Sequence, residues 1–393
     1  MRILFAAIPQ QGHLRPMLPL ADALAAVGHE VTIVTGDGVD GVADRLWPAG
    51  VSAAEFEKLA EQHHPPGMRP RDGFEFALGT LFTRLLAPRM LPGLLSAIDE
   101  LSPDLLIHET GEYATPLAGT LRSVPWLQHS SGIERPAALR RRAAEAVAPL
   151  WADHGAGVPS SAGQVGRGYL DICPPSLQLR EPDEMGHRLL LQPVDVSGGS
   201  PERQAADRPL VLVTFGTVFN RDISSLTRLL TAIAELPVDV VVTTGPGSPA
   251  ESFGQHMANV TVVDYVPLAA ILPACSAVVT HGGSGTMLAS LAYGVPLVMV
   301  PQGADQFLNA AQVASAGAGV DTGGDGTVGA STDMLDADPS HVVPQLLMTI
   351  LESEAFARRA REIAEEIAAM PSAASVASEV EMILHGRRAH GRG

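Results

Sequence analysis

RILFAAIPQQGHLRPMLPLADAL, residues 2–24, sets one histidine between an apolar strand and an amphipathic helix. Arg2 to Ile8 is a continuous apolar run of strand length, and Pro16 to Leu24 carries apolar residues at helical spacing. Strand followed by helix is the opening unit of a parallel α/β sheet, and it puts His13 in the turn at the carboxyl end of the strand. In open sheets of this kind ligands bind in the crevice outside the carboxyl ends of the strands. The turn IPQQGH has a single glycine where the dinucleotide fingerprint G-x-G-x-x-G needs three, so no nicotinamide or flavin cofactor is expected here.

The same alternation continues outward from this unit. HEVTIVTG (29–36), DLLIHE (104–109) and VPWLQHS (124–130) read as further strands with helical or irregular stretches between them. Residues 133–208 turn irregular, and VDVSGGSPERQAADRP (194–209) has the Gly, Pro and Ser content of an interdomain linker. A second series then begins with PLVLVTFGT (209–217) and runs through VDVVVTTG (238–245), VTVVDYV (260–266), AVVTHGG (277–283) and VPLVMVPQG (295–303). The architecture repeats without the sequence repeating. The fold class expected is therefore α/β, with two facing Rossmann-like doubly wound domains and an interdomain cleft, a preferred place for ligands. The domains are expected at 1–200 and 201–370, with a C-terminal helix and tail at 371–393 that packs back on the first domain.

Length and composition agree with this reading and exclude several classes. A chain of 393 residues exceeds the roughly 250 to 300 at which single cores stop growing. No apolar run reaches the ~18 residues of a membrane span. The first apolar segment ends in Pro-Gln-Gln-Gly-His rather than at a small-residue cleavage site, so it reads as a core strand of a cytoplasmic protein. A net charge of −17 argues against nucleic-acid binding, and the basic runs LRRRAAEAV (139–147) and HGRRAHGRG (385–393) read as a solvated helix face and a tail. Lys58, the only lysine, lies in no phosphate-loop or Schiff-base motif. Cys173 and Cys275 have neither disulfide-framework nor zinc spacing, and HHPP (63–66) lacks further ligands, so no metal site is expected.

The most informative stretch is VVTHGGSGTMLASLAYGVPLVMVPQGADQFLNA, residues 278–310. A strand ending at Thr280 leads through HGGSGT into a helix expected to begin near Met287. Free amides of a helix N-terminus, with glycines that admit a ligand to the backbone, make an anion site. Ser284 and Thr286 add hydroxyls and His281 a ring N–H, while TFGT (214–217) ends the first strand of the same domain with a similar turn. Without a Walker lysine, the pair of turns favours a nucleoside diphosphate that is held rather than hydrolysed.

Together, G-H-x-x-P at 12–16, TFGT, YVP at 265–267, HGGSGT and PQGADQ resemble the nucleotide-sugar glycosyltransferases of the two-Rossmann GT-B fold. The chain is most similar among them to the inverting bacterial enzymes that glycosylate macrolides, enediynes and aromatic polyketides. The resemblance covers nearly the whole chain, is most specific over 264–310, and is weakest over 55–90 and 133–205. It implies a donor on the C-terminal domain, with its base against Tyr265 and Val266 and its diphosphate at Thr217, His281, Gly283, Ser284, Gly285 and Thr286. Asp305 and Gln306 would hydrogen-bond sugar hydroxyls, and His13 would be the base that deprotonates the acceptor.

A histidine base works best when a carboxylate orients its second nitrogen. In DLLIHETGEYATPLAG, Glu109 stands where the family usually has aspartate; Asp104 opens the strand, and Glu112 and His108 fit the pattern less well. The resulting expectation is a metal-independent, inverting transferase that needs no cofactor, acting on a dTDP- or UDP-sugar and a hydrophobic small-molecule acceptor, as a monomer or homodimer. An epimerase or hydrolase on the same fold, and a non-catalytic nucleotide-sugar binder, are the alternatives. The first needs further acid and base residues around the sugar, and His13 with a complete donor turn argues against the second.

Overall fold

The computed structural model describes residues 1–179, 187–193, 208–215, 223–245, 257–322 and 338–384. These residues divide into two compact units, Met1–Cys173 with Leu179–Gln192 and Met370–Gly393, and Pro174–Gln178 with Pro193–Ala369. Each is a doubly wound α/β unit built on one parallel sheet among the described residues.

In the first unit the strands are β1 (Arg2–Ala6), β2 (Glu30–Thr35), β3 (Leu46–Pro48), β4 (Leu105–Glu109), β5 (Trp126–His129), β6 (Tyr169–Asp171) and β7 (Arg188–Leu190). Their order is β3-β2-β1-β4-β5-β6-β7. Helices cover both faces of a parallel sheet, which is why its central strands are apolar without alternation. Ile3, Leu4, Phe5 and Ala6 of β1 and Leu105, Leu106 and Ile107 of β4 are all buried. Each such large side chain contributes roughly 1.5–3 kcal/mol by leaving water. Past β1 the chain winds outward to β2 and β3, then returns to lay β4 on the other side of β1. The β1/β4 junction is thus a topological switch point, where connections leave in opposite directions and open a crevice at the strand ends.

The second unit has the same logic. Its strands are β8 (Leu210–Thr214), β9 (Asp239–Thr243), β10 (Val260–Val263), β11 (Ala277–Thr280), β12 (Leu297–Met299) and β13 (Gly319–Asp321). The order β10-β9-β8-β11-β12-β13 places the switch point between β8 and β11, at the ends of which lie Phe215 and HGGSGT. At the C-terminal end of the chain, helix Ala373–Leu384 belongs to the first unit, where it packs on helix Leu18–Ala26.

Four strands, β3, β6, β7 and β13, are absent from the sequence reading, and three residues each is too short to show a period. The region 133–208, read as irregular, holds the 17-residue helix Ala137–Asp153 as well as β6 and β7. Residues 194–207 of the expected linker lie outside the described residues.

Candidate active site

At the end of β1 the chain turns at Ile8–Gln10 and forms one helical turn, Gln11–Leu14, before Pro16 starts the next. His13 therefore sits on a short helix rather than in an open loop, fixed by its buried neighbours Leu14 and Met17. Its Nδ1 lies 2.7 Å from Glu109 Oε2, where β4 ends. The two residues are far apart in sequence and meet because β1 and β4 are adjacent at the switch point. Asp104, the other carboxylate of that stretch, is at the opposite end of β4, where its Oδ2 accepts from Arg2 N at 2.7 Å.

Glu109 is fully buried, and its remaining capacity is used by backbone donors: Ile8 N at 3.3 Å on Oε1 and Gly111 N on Oε2. Burial pushes its carboxyl up; the His13 charge and hydrogen bond, the Gly111 amide and the Arg135 guanidinium outweigh this and hold it below its ordinary value. It is thus a carboxylate at neutral pH. A carboxylate on Nδ1 fixes the tautomer that carries its proton there, which leaves the Nε2 lone pair to accept a proton from a substrate. The other side of the His13 ring meets Phe82 edge-on, with centroids 5.6 Å apart. Phe82 lies on a π-helical segment, Ala77–Leu86, and with Ile8, Val51, Leu86 and Met90 it lines an apolar recess beside the pair.

Three further residues belong to this site without having been singled out in the sequence. Gly111 packs its Cα against the pair: a Cβ there would come 3.0 Å from His13 Nδ1 and Cε1 and from Glu109 Oε1. Arg135, buried, donates to Thr110 O and, at 3.2 Å, to Tyr113 Oη. His129, the register partner of Glu109 on β5, donates through Nδ1 to Ser130 O at 2.7 Å. Burial pushes His129 down to about 4, so it is neutral at physiological pH and is not a second cation beside Glu109. A glycine two residues after Glu109 was the one legible sign among them.

In the second unit, β11 ends at Thr280 and the helix Ser284–Ala292 starts three residues earlier than expected. Ser284, Gly285 and Thr286 are consequently its first turn, and the first intrahelical bond is Met287 N to Gly283 O. Gly283 caps the helix without a side-chain acceptor, so the first amides face outward unclaimed by a cap. Gly282 has a φ of +91°, open to glycine at low cost. At Gly283 the constraint is contact: a Cβ would lie 2.6 Å from His281 Nε2. His281 is buried, and burial lowers it against the opposing pull of Asp305 and the Thr214 backbone.

The loop after β12 is tied to this turn. Asn309 Nδ2 donates to Gly282 O at 2.9 Å, and the Ser284 hydroxyl donates to Asp305 Oδ2 at 2.9 Å. Gln306 turns inward, with Oε1 accepting from Gln302 N at 2.8 Å and Gly303 N at 3.1 Å. Asn309 is the residue that pattern reading missed here. Tyr265 is 70 % exposed, Val266 half-buried, and Thr217 lies outside the described residues. Among the described residues no group of three His, Cys, Asp or Glu is placed to hold a metal ion, and no helix is long and apolar enough to cross a membrane.

Residues 227–383 match the family described as erythromycin biosynthesis protein CIII-like, C-terminal domain. The chain is 34% identical over 399 residues to the elloramycin glycosyltransferase of Streptomyces olivaceus, covering 97% of each chain. It is 32% identical to the L-demethylnoviosyl transferase of Streptomyces niveus, covering 87% of this chain and 91% of that one. Among solved structures, a spinosyn rhamnosyltransferase complexed with thymidine diphosphate superposes with a TM-score of 0.77 at 25% identity, covering 97% of this chain and 100% of that one. The same rhamnosyltransferase has also been solved complexed with spinosyn aglycone.

Proposed function

The chain belongs to the natural-product glycosyltransferases of GT-B fold, and from that premise we propose that it is an inverting, metal-independent transferase moving a hexose or deoxyhexose from a dTDP- or UDP-sugar to a hydrophobic acceptor such as a polyketide. The observation that carries this reading is the 2.7 Å bond between His13 Nδ1 and the buried carboxylate of Glu109. His13 Nε2 takes the proton of the acceptor hydroxyl as the oxygen attacks the anomeric carbon. The bond from that carbon to the diphosphate oxygen breaks on the opposite face, which inverts the configuration. Glu109 stabilises the imidazolium that forms; a positioned base of this kind contributes about 10² to 10⁴ in rate.

For the leaving group we assign the first-turn amides of Ser284, Gly285 and Thr286, with His281 beside them. A helix N-terminus carries about half a positive charge and suits a departing diphosphate. Fixed dipoles of this sort stabilise developing charge without a metal. A dTDP-sugar is supported by the rhamnosyltransferase complex with thymidine diphosphate, and a natural-product acceptor by the complex of the same enzyme with spinosyn aglycone.

The test is transfer from dTDP-glucose and UDP-glucose to alizarin, a hydroxyanthraquinone, with the product mass and its anomeric coupling measured. A β-glucoside is expected from these α-linked donors, in the presence of EDTA. Release of free glucose without glucoside, or an α-glucoside, overturns the reading.

A further inference from the structure

Glu109 is held at the start of a tight turn, closed by Glu112 N donating to Glu109 O at 3.1 Å. The preceding residue, His108, is fully buried, and successive strand residues point to opposite faces, so its ring reaches the turn from the side away from His13. His108 Nδ1 is 3.1 Å from Glu109 O and 3.0 Å from Glu112 O, and its Nε2 is 2.8 Å from Gln164 O. All three partners are backbone carbonyls, which only accept. A neutral imidazole has one N–H and one lone pair, so one of its nitrogens would oppose a carbonyl lone pair to lone pair. Only the imidazolium donates on both sides.

An acidic side chain faces the ring. The Glu112 carboxyl is 3.9 Å from His108 Nδ1, and its two oxygens accept from Ala114 N at 2.6 Å and Thr115 N at 2.9 Å. Burial pushes that carboxyl up overall, and the His108 charge, the Thr115 hydroxyl and the two amides offset this only in part. Arg135 holds Thr110 O, and Gln164 Nε2 also donates to Glu112 O at 3.2 Å.

We infer that His108 is held as an imidazolium and is a positioning residue, stapling the Glu109–Glu112 turn so that the Gly111 amide and Cα meet Glu109 and His13. This rests on the proposed function in giving the chemistry to His13 and Glu109. His108 itself touches neither acceptor nor donor. Its charge matters because a neutral ring or an amide at 108 loses one end of the staple, and a shift of the turn moves Glu109 directly.

Histidine-labelled nitrogen NMR on the full chain, with His108 assigned through its backbone, reads the first part. Both ring nitrogens of His108 are expected to be protonated at pH 7.5, with slowly exchanging N–H protons. One unprotonated ring nitrogen overturns the inference, whatever the variants do. The second part uses His108→Gln. The downfield proton of the His13–Glu109 bond should shift, and kcat should fall by up to about 100-fold, the cost of misplacing a catalytic group by an ångström. The KM for alizarin and the Kd for dTDP should stay within about twofold. A folded variant with that proton and kcat unchanged removes the positioning role. Should His108→Gln fail to fold, Glu112→Gln serves instead: it removes the acidic partner, and His108 should then lose one ring proton with the same shift at His13. Retention of both ring protons without change at His13 refutes the pairing. Absence of transfer by the wild-type chain would count against the proposed function, while both NMR readings would still decide this inference.

Discussion

At the scale of single residues, the candidate base is defined by three atoms' worth of space. His13 Nδ1, Glu109 Oε2 and the Cα of Gly111 fit together only while residue 111 lacks a Cβ. Gly111→Ala should therefore lower kcat by up to about 100-fold through displacement of the pair. His13→Ala should lower it by about 10² to 10⁴. In both variants calorimetry should give a wild-type Kd for dTDP, because the residues proposed for the donor belong to the other unit. Loss of dTDP binding in His13→Ala would mean the nucleotide had been put in the wrong unit. His129 gives a stability prediction with a definite sign. The unfolded chain takes up a proton at this residue below its ordinary value of 6.5, and the folded chain refuses it until about 4. Its contribution to stability is thus fully present above pH 6.5 and declines as pH falls from there to 4. Denaturant midpoints for His129→Gln should flatten across that window relative to wild type; parallel curves would remove the residue from the acid limb.

Elements explain why these residues meet. The order in which β1 and β4 lie side by side brings positions 13 and 109 together, and the same switch between β8 and β11 prepares the HGGSGT turn. In the second unit the helix starts at Ser284, and Asn309 clamps the turn through Gly282 O and Ser284 Oγ. Asn309→Ala removes that clamp and frees a buried carbonyl, so dTDP affinity should fall by about tenfold with kcat at saturation little changed. An unchanged Kd by calorimetry would show that the turn holds its shape without it. The strand and helix series were legible because buried parallel strands are long apolar runs. The three-residue strands β3, β6, β7 and β13 were not, since their pairing comes from neighbours in the sheet rather than from their own pattern.

At the scale of the whole molecule, nucleotide binding to the second unit should stabilise that unit by mass action. At a hundredfold excess over Kd the linkage is worth about 2.7 kcal/mol. Scanning fluorimetry should show an upward shift with dTDP, UDP or both at millimolar concentration, and no shift with either would sink the donor assignment. The acidic balance of the chain, −17, also predicts no retention on nucleic acid at physiological salt.

Much of the function was determined locally and could be read in one dimension. Glycine turns behind apolar strands point to phosphate sites because backbone amides and missing side chains would do the binding, and His13 stands out because it closely follows a strand end. Resemblance pointed to Glu109 as the partner of that histidine, and the tertiary structure supplies the physical reason. Asp104, Glu109 and Glu112 lie within nine positions of one another, and only the register of β4 against β1 sends Glu109 to His13, Asp104 to the far end of the strand, and Glu112 back toward His108. Tertiary structure alone decided the roles of Gly111, Arg135 and Asn309, which are contacts across the fold. Close packing between distant segments leaves no period in the chain that carries it.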